Sequence, residues 1–193
     1  IPRNGLPQTL EAVKDRMHWP QQLEEGHGVG LAVCQWRSGS GPSTASISIN
    51  EDGTLSLLTG SVDITGTDTV LAQIAAMVLG ADMQQVIVAR RDTDLAPFTG
   101  PSGGSRITYS QGKAVQMAAE EAKQKLLVLA AERLQVPAAA LACAGGRLSM
   151  LDNPDRGYSL GELARLSNTS KAGPILGTAS LSSMPFAPVF NAQ

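Results

Sequence analysis

Two stretches of the 193-residue chain determine the expected fold, and each is a loop rich in glycine and hydroxyl residues that leads directly into a helical pattern. Residues 60–75 are GSVDITGTDTVLAQIA, and residues 104–115 are GSRITYSQGKAV. After the first loop, apolar side chains recur at the spacing of one helix face: Leu71, Ile74, Ala75 and Val78. The pattern predicts a helix that Thr67 or Asp68 caps and that Gly80 ends.

The second loop leads into a longer predicted helix over residues 112–134. Its apolar stripe consists of Val115, Ala118, Ala122, Leu126 and Leu129. Outward from these two units the pattern predicts strands at 28–36, 45–50, 54–58 and 85–89, an Asp-Gly turn at 50–53, and a hairpin over 139–151. The first three strands are expected to form an antiparallel unit. Two short helices complete the pattern, one before Trp19-Pro20 and one from Leu160 to about Leu166 behind a Ser159–Glu162 capping box.

These elements predict an α+β fold with a mixed or antiparallel sheet and packed helices. We expect three regions: an N-terminal helix and linker over 1–27, the α+β domain over 28–167, and an irregular tail over 168–193 that leads to structure outside this chain. A tail of this length without periodicity is unusual inside a compact domain. The chain is therefore interpreted as a fragment of a longer protein.

The composition excludes several classes of function. The formal net charge is -2, so the chain lacks the excess of Lys and Arg that drives binding to nucleic acid. No apolar run approaches the length of a membrane-spanning helix. The cysteines, Cys34 and Cys143, and the histidines, His18 and His27, do not have the spacing of metal ligands, and both cysteines are expected to be small buried hydrophobes.

The two loops over 60–69 and 100–112 have the properties of anion-binding loops. A helix N-terminus presents unpaired N–H groups and partial positive charge, while glycines allow close approach and hydroxyls add donors. Arg106 adds a further donor, whereas Asp63 and Asp68 oppose an anion at the first loop. Two such loops suit a phosphorylated cofactor held at two points, although either loop alone could be an ordinary connection. Named nucleotide and hydrolase motifs fail, and the sequence contains no convincing nucleophile or general base.

In their order and spacing, these blocks resemble the molybdopterin-binding large subunit of the xanthine dehydrogenase, aldehyde oxidase and carbon monoxide dehydrogenase family. The resemblance is carried by residues 60–75, Asp92-Thr93, 104–108 and 112–115, and it covers roughly residues 5–167. It implies an α+β fold of the molybdenum cofactor-binding type and a molybdopterin cofactor with molybdenum, possibly in the cytosine dinucleotide form. The cofactor-binding residues that it implies are Thr65, Gly66, Thr67, Gly104, Ser105, Arg106, Ile107 and Thr108.

The resemblance also implies the activity of the whole enzyme, which would hydroxylate an aldehyde or N-heterocycle with water and pass electrons to iron–sulfur and flavin subunits or domains. Many family members have Gly-Gln where this chain has Ile64-Thr65, which changes the expected substrate more than the expected family. The family's catalytic Glu is expected beyond residue 193, so this chain should hold no catalytic residue or direct metal ligand and should be inactive alone. We expect a cytoplasmic protein without membrane or nucleic-acid partners. The alternative is a non-catalytic α+β interaction domain.

Overall fold

The computed structural model describes residues 5–19, 21–34, 39–89 and 92–182. These residues divide into two compact units, one before residue 35 and one from residue 39 onward. The first unit contains helix α1 (Leu6–Arg16), which confirms the predicted N-terminal helix.

The strand predicted at 28–36 is wrong for the residues described there. Residues 28–34 are exposed and pair with no strand in the described part of the chain, and residues 35 and 36 lie outside that part. An apolar run predicts burial, but a strand also needs a neighbouring edge for its backbone hydrogen bonds. Cys34 is exposed, so its predicted burial is also wrong.

The second unit contains two sheets and three helices in the described residues. In chain order the elements are β1 (Ser43–Ile49), β2 (Leu55–Thr59), α2 (Thr67–Leu79), β3 (Val86–Val88), α3 (Gly112–Leu134), β4 (Leu141–Ala144), β5 (Arg147–Met150), β6 (Gly157–Ser159), α4 (Leu160–Asn168) and β7 (Leu176–Leu181). The α+β prediction is confirmed.

The larger sheet has the strand order β3-β2-β1-β7. The predicted hairpin is confirmed: β1 pairs antiparallel with β2, and the Gly53 N–H donates to the Asn50 carbonyl oxygen at 3.0 Å in the turn. Alternate residues of β1, including Ala45 and Ile47, are fully buried. The other two strands of this sheet are β3, which pairs parallel with β2, and β7, which pairs antiparallel with β1.

Strand β7 makes the prediction of an irregular tail over 168–193 wrong for Leu176–Leu181. This segment lacks a regular alternation of apolar residues, partly because Gly177 lies directly against α3. A Cβ atom at Gly177 would lie 1.9 Å from the Ala118 carbonyl oxygen, so no larger residue fits. The tertiary contact therefore selects a glycine at the position where a sequence pattern would need a strand-forming residue.

The helices pack the predicted faces into the core. All five residues of the α3 stripe are buried, and α3 has the predicted bounds. Helix α2 ends at Gly80 as predicted, with a left-handed φ of 58°. The predicted Thr67 or Asp68 cap is wrong, because Gly66 occupies the N-cap with a φ of 81° and no side-chain cap is made.

The smaller sheet, β4-β5-β6, is antiparallel and begins with the predicted hairpin. The capping box at the start of α4 is confirmed: the Ser159 hydroxyl accepts from the Glu162 N–H at 3.2 Å, and Glu162 Oε2 accepts from the Ser159 N–H at 2.7 Å. The hydrogen bonds that the Glu162 carboxylate accepts, first from the Ser159 N–H and then from the Ser159 hydroxyl, lower its pKa. The region boundaries at residues 27 and 167 stay predictions.

Candidate functional site

Both predicted loops line one cavity of about 350 Å³ in the second unit. The first loop leads into α2, and the second leads through a π-helical turn, Ile107–Gln111, into α3. The cavity is lined by Val62, Ile64, Thr65, Gly66, Thr67, Val70, Ser102, Gly103, Ser105, Arg106, Ile107 and Thr108. Seven of the eight predicted site residues are in this lining, and Gly104 lies between two lining residues.

The two loops share a backbone conformation that the sequence did not predict. Thr65 and Gly66 have φ angles of 57° and 81°, and Gly104 and Ser105 have φ angles of 61° and 54°. In each loop the left-handed pair is followed at once by right-handed helical backbone, at Thr67 and at Arg106. A change of hand between successive residues turns their N–H groups toward one side and forms a concavity that binds anions.

Among the described residues, no carboxylate lines the cavity, although two acidic residues are near in sequence. Asp63 Oδ1 accepts a hydrogen bond from the Asp68 N–H at 3.1 Å, so the start of α2 already has an anionic partner from the chain itself. The Thr65 and Thr67 hydroxyls both donate to the Ile64 carbonyl oxygen, at 2.7 Å and 2.9 Å. In the first loop, two hydroxyls and one N–H group are therefore engaged within the protein, which makes the second loop the better candidate for an external anion.

Among the described residues that line the cavity, Arg106 is the charged one, yet it is only 4% exposed. Its Nη1 donates to the Pro101 carbonyl oxygen at 3.0 Å, and its Nη2 donates to the Pro42 carbonyl oxygen at 2.7 Å and to Ser43 Oγ at 3.1 Å. Its Nε is buried and has no acceptor among the described residues. The guanidinium predicted to bind a phosphate is thus mostly engaged with the protein.

Sequence reasoning missed Gln111, which is fully buried in the turn before α3. Its Nε2 donates to the Thr44 carbonyl oxygen at 2.8 Å, and its Oε1 accepts from the Thr99 hydroxyl at 3.0 Å. Gln111 therefore ties the end of the second loop to β1. The position of a polar residue directly before the apolar stripe could have suggested that Gln111 is buried. Nothing in the sequence identified its hydrogen-bond partners. In the same turn Ser110 Oγ is buried without a partner in the described part of the chain.

Other potential sites carry little chemistry. The described residues contain no group of three or more His, Cys, Asp or Glu side chains that could hold a metal ion. The Cys143 thiol donates to the Leu79 carbonyl oxygen at 2.8 Å, and burial raises its pKa, so the reactive thiolate is disfavoured. Among the helices described, none is long and apolar enough to cross a membrane.

Comparison with known proteins gives a consistent result. Residues 9–188 match the family model described as a molybdopterin cofactor-binding domain. The chain is 30% identical over 166 residues to the putative xanthine dehydrogenase molybdenum-binding subunit XdhA of Escherichia coli K12, covering 78% of this chain and 22% of that protein. It is 30% identical over 192 residues to the probable hypoxanthine oxidase XdhD of the same organism, covering 95% of this chain and 20% of that protein.

The fold is likewise similar to a solved structure, that of reconstituted carbon monoxide dehydrogenase from Oligotropha carboxidovorans. The TM-score is 0.64 at 28% identity, covering 74% of this chain and 18% of that one. The chain thus spans about a fifth of the length of the relatives that it matches.

Proposed function

The chain belongs to the family of molybdopterin cofactor-binding domains, and from this premise we propose that its cavity binds the phosphate-bearing part of molybdopterin. The observation that carries the proposal is that both loops line one cavity, whose described lining residues include no carboxylate. The residues that we propose to bind the cofactor are Thr65, Gly66, Thr67, Gly104, Ser105, Arg106, Ile107 and Thr108.

The chemistry of the lining fits a phosphorylated ligand. We propose that the second loop binds the phosphate, because its backbone changes hand at Ser105–Arg106 and the Ser102, Ser105 and Thr108 hydroxyls in the described lining add donors. In the first loop, Thr65 and Thr67 would contact less charged parts of the cofactor, since Asp63 already occupies an N–H group at the start of α2.

We further propose that the whole protein is the large subunit of a molybdenum hydroxylase. The molybdenum of the bound cofactor would supply the redox centre at which an aldehyde or N-heterocycle is hydroxylated with an oxygen atom from water. Similarity to a probable hypoxanthine oxidase supports an N-heterocycle. Similarity to a protein named as a molybdenum-binding subunit supports the existence of partner subunits, which we propose to carry iron–sulfur and flavin groups. The cytosine dinucleotide form of the cofactor and a cytoplasmic location stay predictions.

A pair of substitutions at Ser105 tests the phosphate site. Ser105 has a φ of 54°, and Asn and Asp both tolerate this left-handed conformation better than most residues. Ser105→Asp places a carboxylate in the cavity, where it should repel the phosphate, while Ser105→Asn is nearly the same size and uncharged. In the full-length protein with its partner subunits, we expect the pterin content per chain to be lower in S105D, because a repulsion of roughly 1.4 kcal/mol weakens binding of the cofactor about tenfold.

The Asn variant is the matched control and should retain pterin at nearly the content of the unmodified protein. Thermal unfolding of both variants reports whether the fold is intact. Equal pterin content in S105D and S105N, close to that of the unmodified protein, would contradict a phosphate at the second loop.

A further inference from the structure

We propose that Arg106 is a positioning residue: its guanidinium holds the second loop against the start of β1, so that backbone groups of Ser105, Arg106 and Ile107 are presented to the cavity. This inference rests on the proposed function of the cavity. It assigns to Arg106 a role different from the direct phosphate contact that its charge suggests, and it extends the cofactor site to residues that do not line the cavity.

The first line of evidence is where the guanidinium makes its hydrogen bonds. Its two terminal nitrogens donate to one carbonyl oxygen in the second loop, that of Pro101, and to two oxygens at the start of β1, the Pro42 carbonyl and Ser43 Oγ. Ser43 is fully buried and is absent from the lining of the cavity. A rigid, planar group with donors in several directions is suited to such cross-linking of two backbone segments.

The second line of evidence is the space around the guanidinium. A Cβ atom at Gly100 would lie 2.8 Å from Nη1 of Arg106, and one at Gly41 would lie 3.2 Å from Nη2. A Cβ atom at Gly39 would lie 3.3 Å from the Arg106 Cβ. Glycines on both connected segments therefore leave a slot that the arginine side chain fills, and a side chain at Gly100 would displace it.

The third line of evidence is that the backbone joins the same two segments around Arg106. The Gly39 N–H donates to the Gly104 carbonyl oxygen at 2.6 Å, and the Gly100 N–H donates to the Pro42 carbonyl oxygen at 3.2 Å. Ser43 and Thr99 form an isolated antiparallel bridge. Backbone hydrogen bonds thus hold the left-handed pair Gly104–Ser105 to the segment at the start of β1. The Arg106 guanidinium adds side-chain hydrogen bonds between the same two segments, and we call this set of contacts the anchor.

Two substitutions outside the cavity lining test this role in the full-length protein with its partner subunits. Ser43→Ala removes one acceptor of the guanidinium, and Gly100→Ala displaces it while every donor group remains. Ser46→Ala, three residues along the same strand, is the matched control for the first variant. The measurement is the rate at which pterin is released from each purified protein, in about 0.1 M and about 1 M salt.

We expect S43A and G100A each to release pterin about tenfold faster than the unmodified protein, the order of effect typical of residues that orient a ligand-binding group. S46A should match the unmodified protein. The ratio of each variant's rate to that of the unmodified protein should be the same at both salt concentrations, because the lost contacts are within the protein. A direct ion pair weakened by displacement of the guanidinium would instead give a ratio that changes with screening.

Release at the unmodified rate from both S43A and G100A would overturn the positioning role, and so would ratios that change with salt. Failure of this inference is distinct from failure of the proposed function, which is judged on the difference between S105D and S105N. If S105D loses pterin while S43A and G100A retain it, the cavity binds the cofactor without help from the anchor.

Discussion

Individual residues in strained backbone conformations are the least expected feature of the cavity. Thr65 and Ser105 adopt left-handed φ angles, a conformation that is unfavourable for residues other than glycine and especially for a β-branched residue. Such strain persists where the surrounding structure determines it, and it is concentrated at functional sites. Both residues line the cavity, which agrees with a backbone shaped for binding rather than for stability.

Relief of the strain at Thr65 should stabilise the protein. A left-handed L-residue costs roughly 1–2 kcal/mol, while a glycine costs roughly 0.5–1 kcal/mol in chain entropy. We expect Thr65→Gly to raise the free energy of unfolding by about 0.5–1 kcal/mol, measured by urea denaturation. Thr67→Gly, at the first position of α2, is the control and should lower it, because glycine is a poor helix former. A loss of stability in T65G comparable to that in T67G would argue against strain at Thr65.

At the scale of elements, α3 protects the outer edge of β7. Glu121 Oε2 accepts from the Thr178 N–H at 2.8 Å, and Lys125 Nζ donates both to the Leu176 carbonyl oxygen and to Glu121 Oε1 at 2.6 Å. Backbone groups on an open strand edge are otherwise available for pairing with another chain. Two side chains of one helix thus satisfy part of that edge.

This arrangement predicts a pH dependence. The hydrogen bond from Lys125, followed by that from the Thr178 N–H, holds the pKa of Glu121 below its usual value. A carboxyl whose pKa is lower in the folded state contributes stability above its unfolded pKa of about 4.3 and loses that contribution as the pH falls through its folded pKa. We expect the difference in Tm between the unmodified protein and Glu121→Gln to be present at neutral pH, to begin to shrink near pH 4.3, and to disappear as the pH falls through the lower folded pKa.

The measurement is thermal unfolding across this pH range, with Glu120→Gln as the control. Glu120 is exposed on the same helix, and its substitution removes the same charge without touching β7. A Tm difference for E121Q that is independent of pH, or one that follows the E120Q series, would refute a role for the ionised carboxylate at the strand edge.

Some helices and strands could be predicted from the sequence, and others could not. Helices α3 and α4 were predictable because their apolar periodicity and the capping box are local signals. Strand β7 was missed because Gly177 is selected by contact with α3, and the strand at 28–36 was predicted from hydrophobicity that does not specify a partner. At the site, the two loops were predictable from composition. The internal engagement of Arg106 and Gln111 was not, because their acceptors are backbone oxygens distant in the sequence.

At the scale of the whole molecule, close helix packing accompanies the meeting of the two loops. A Cβ atom at Gly112 would lie 2.8 Å from Ile74 Cδ1, so α3 begins in close contact with α2. Each loop immediately precedes one of these helices or its first turn, and both line the same cavity. The chain spans about a fifth of the length of its relatives, so the proposed activity belongs to the whole protein and this part would supply cofactor-holding loops.

Whether this chain holds molybdopterin can be measured by metal and pterin analysis of the full-length protein purified with its partner subunits. We expect molybdenum near one atom per chain and a phosphate-bearing pterin released on denaturation. A protein without molybdenum or pterin, purified from a host that makes the cofactor, would contradict it.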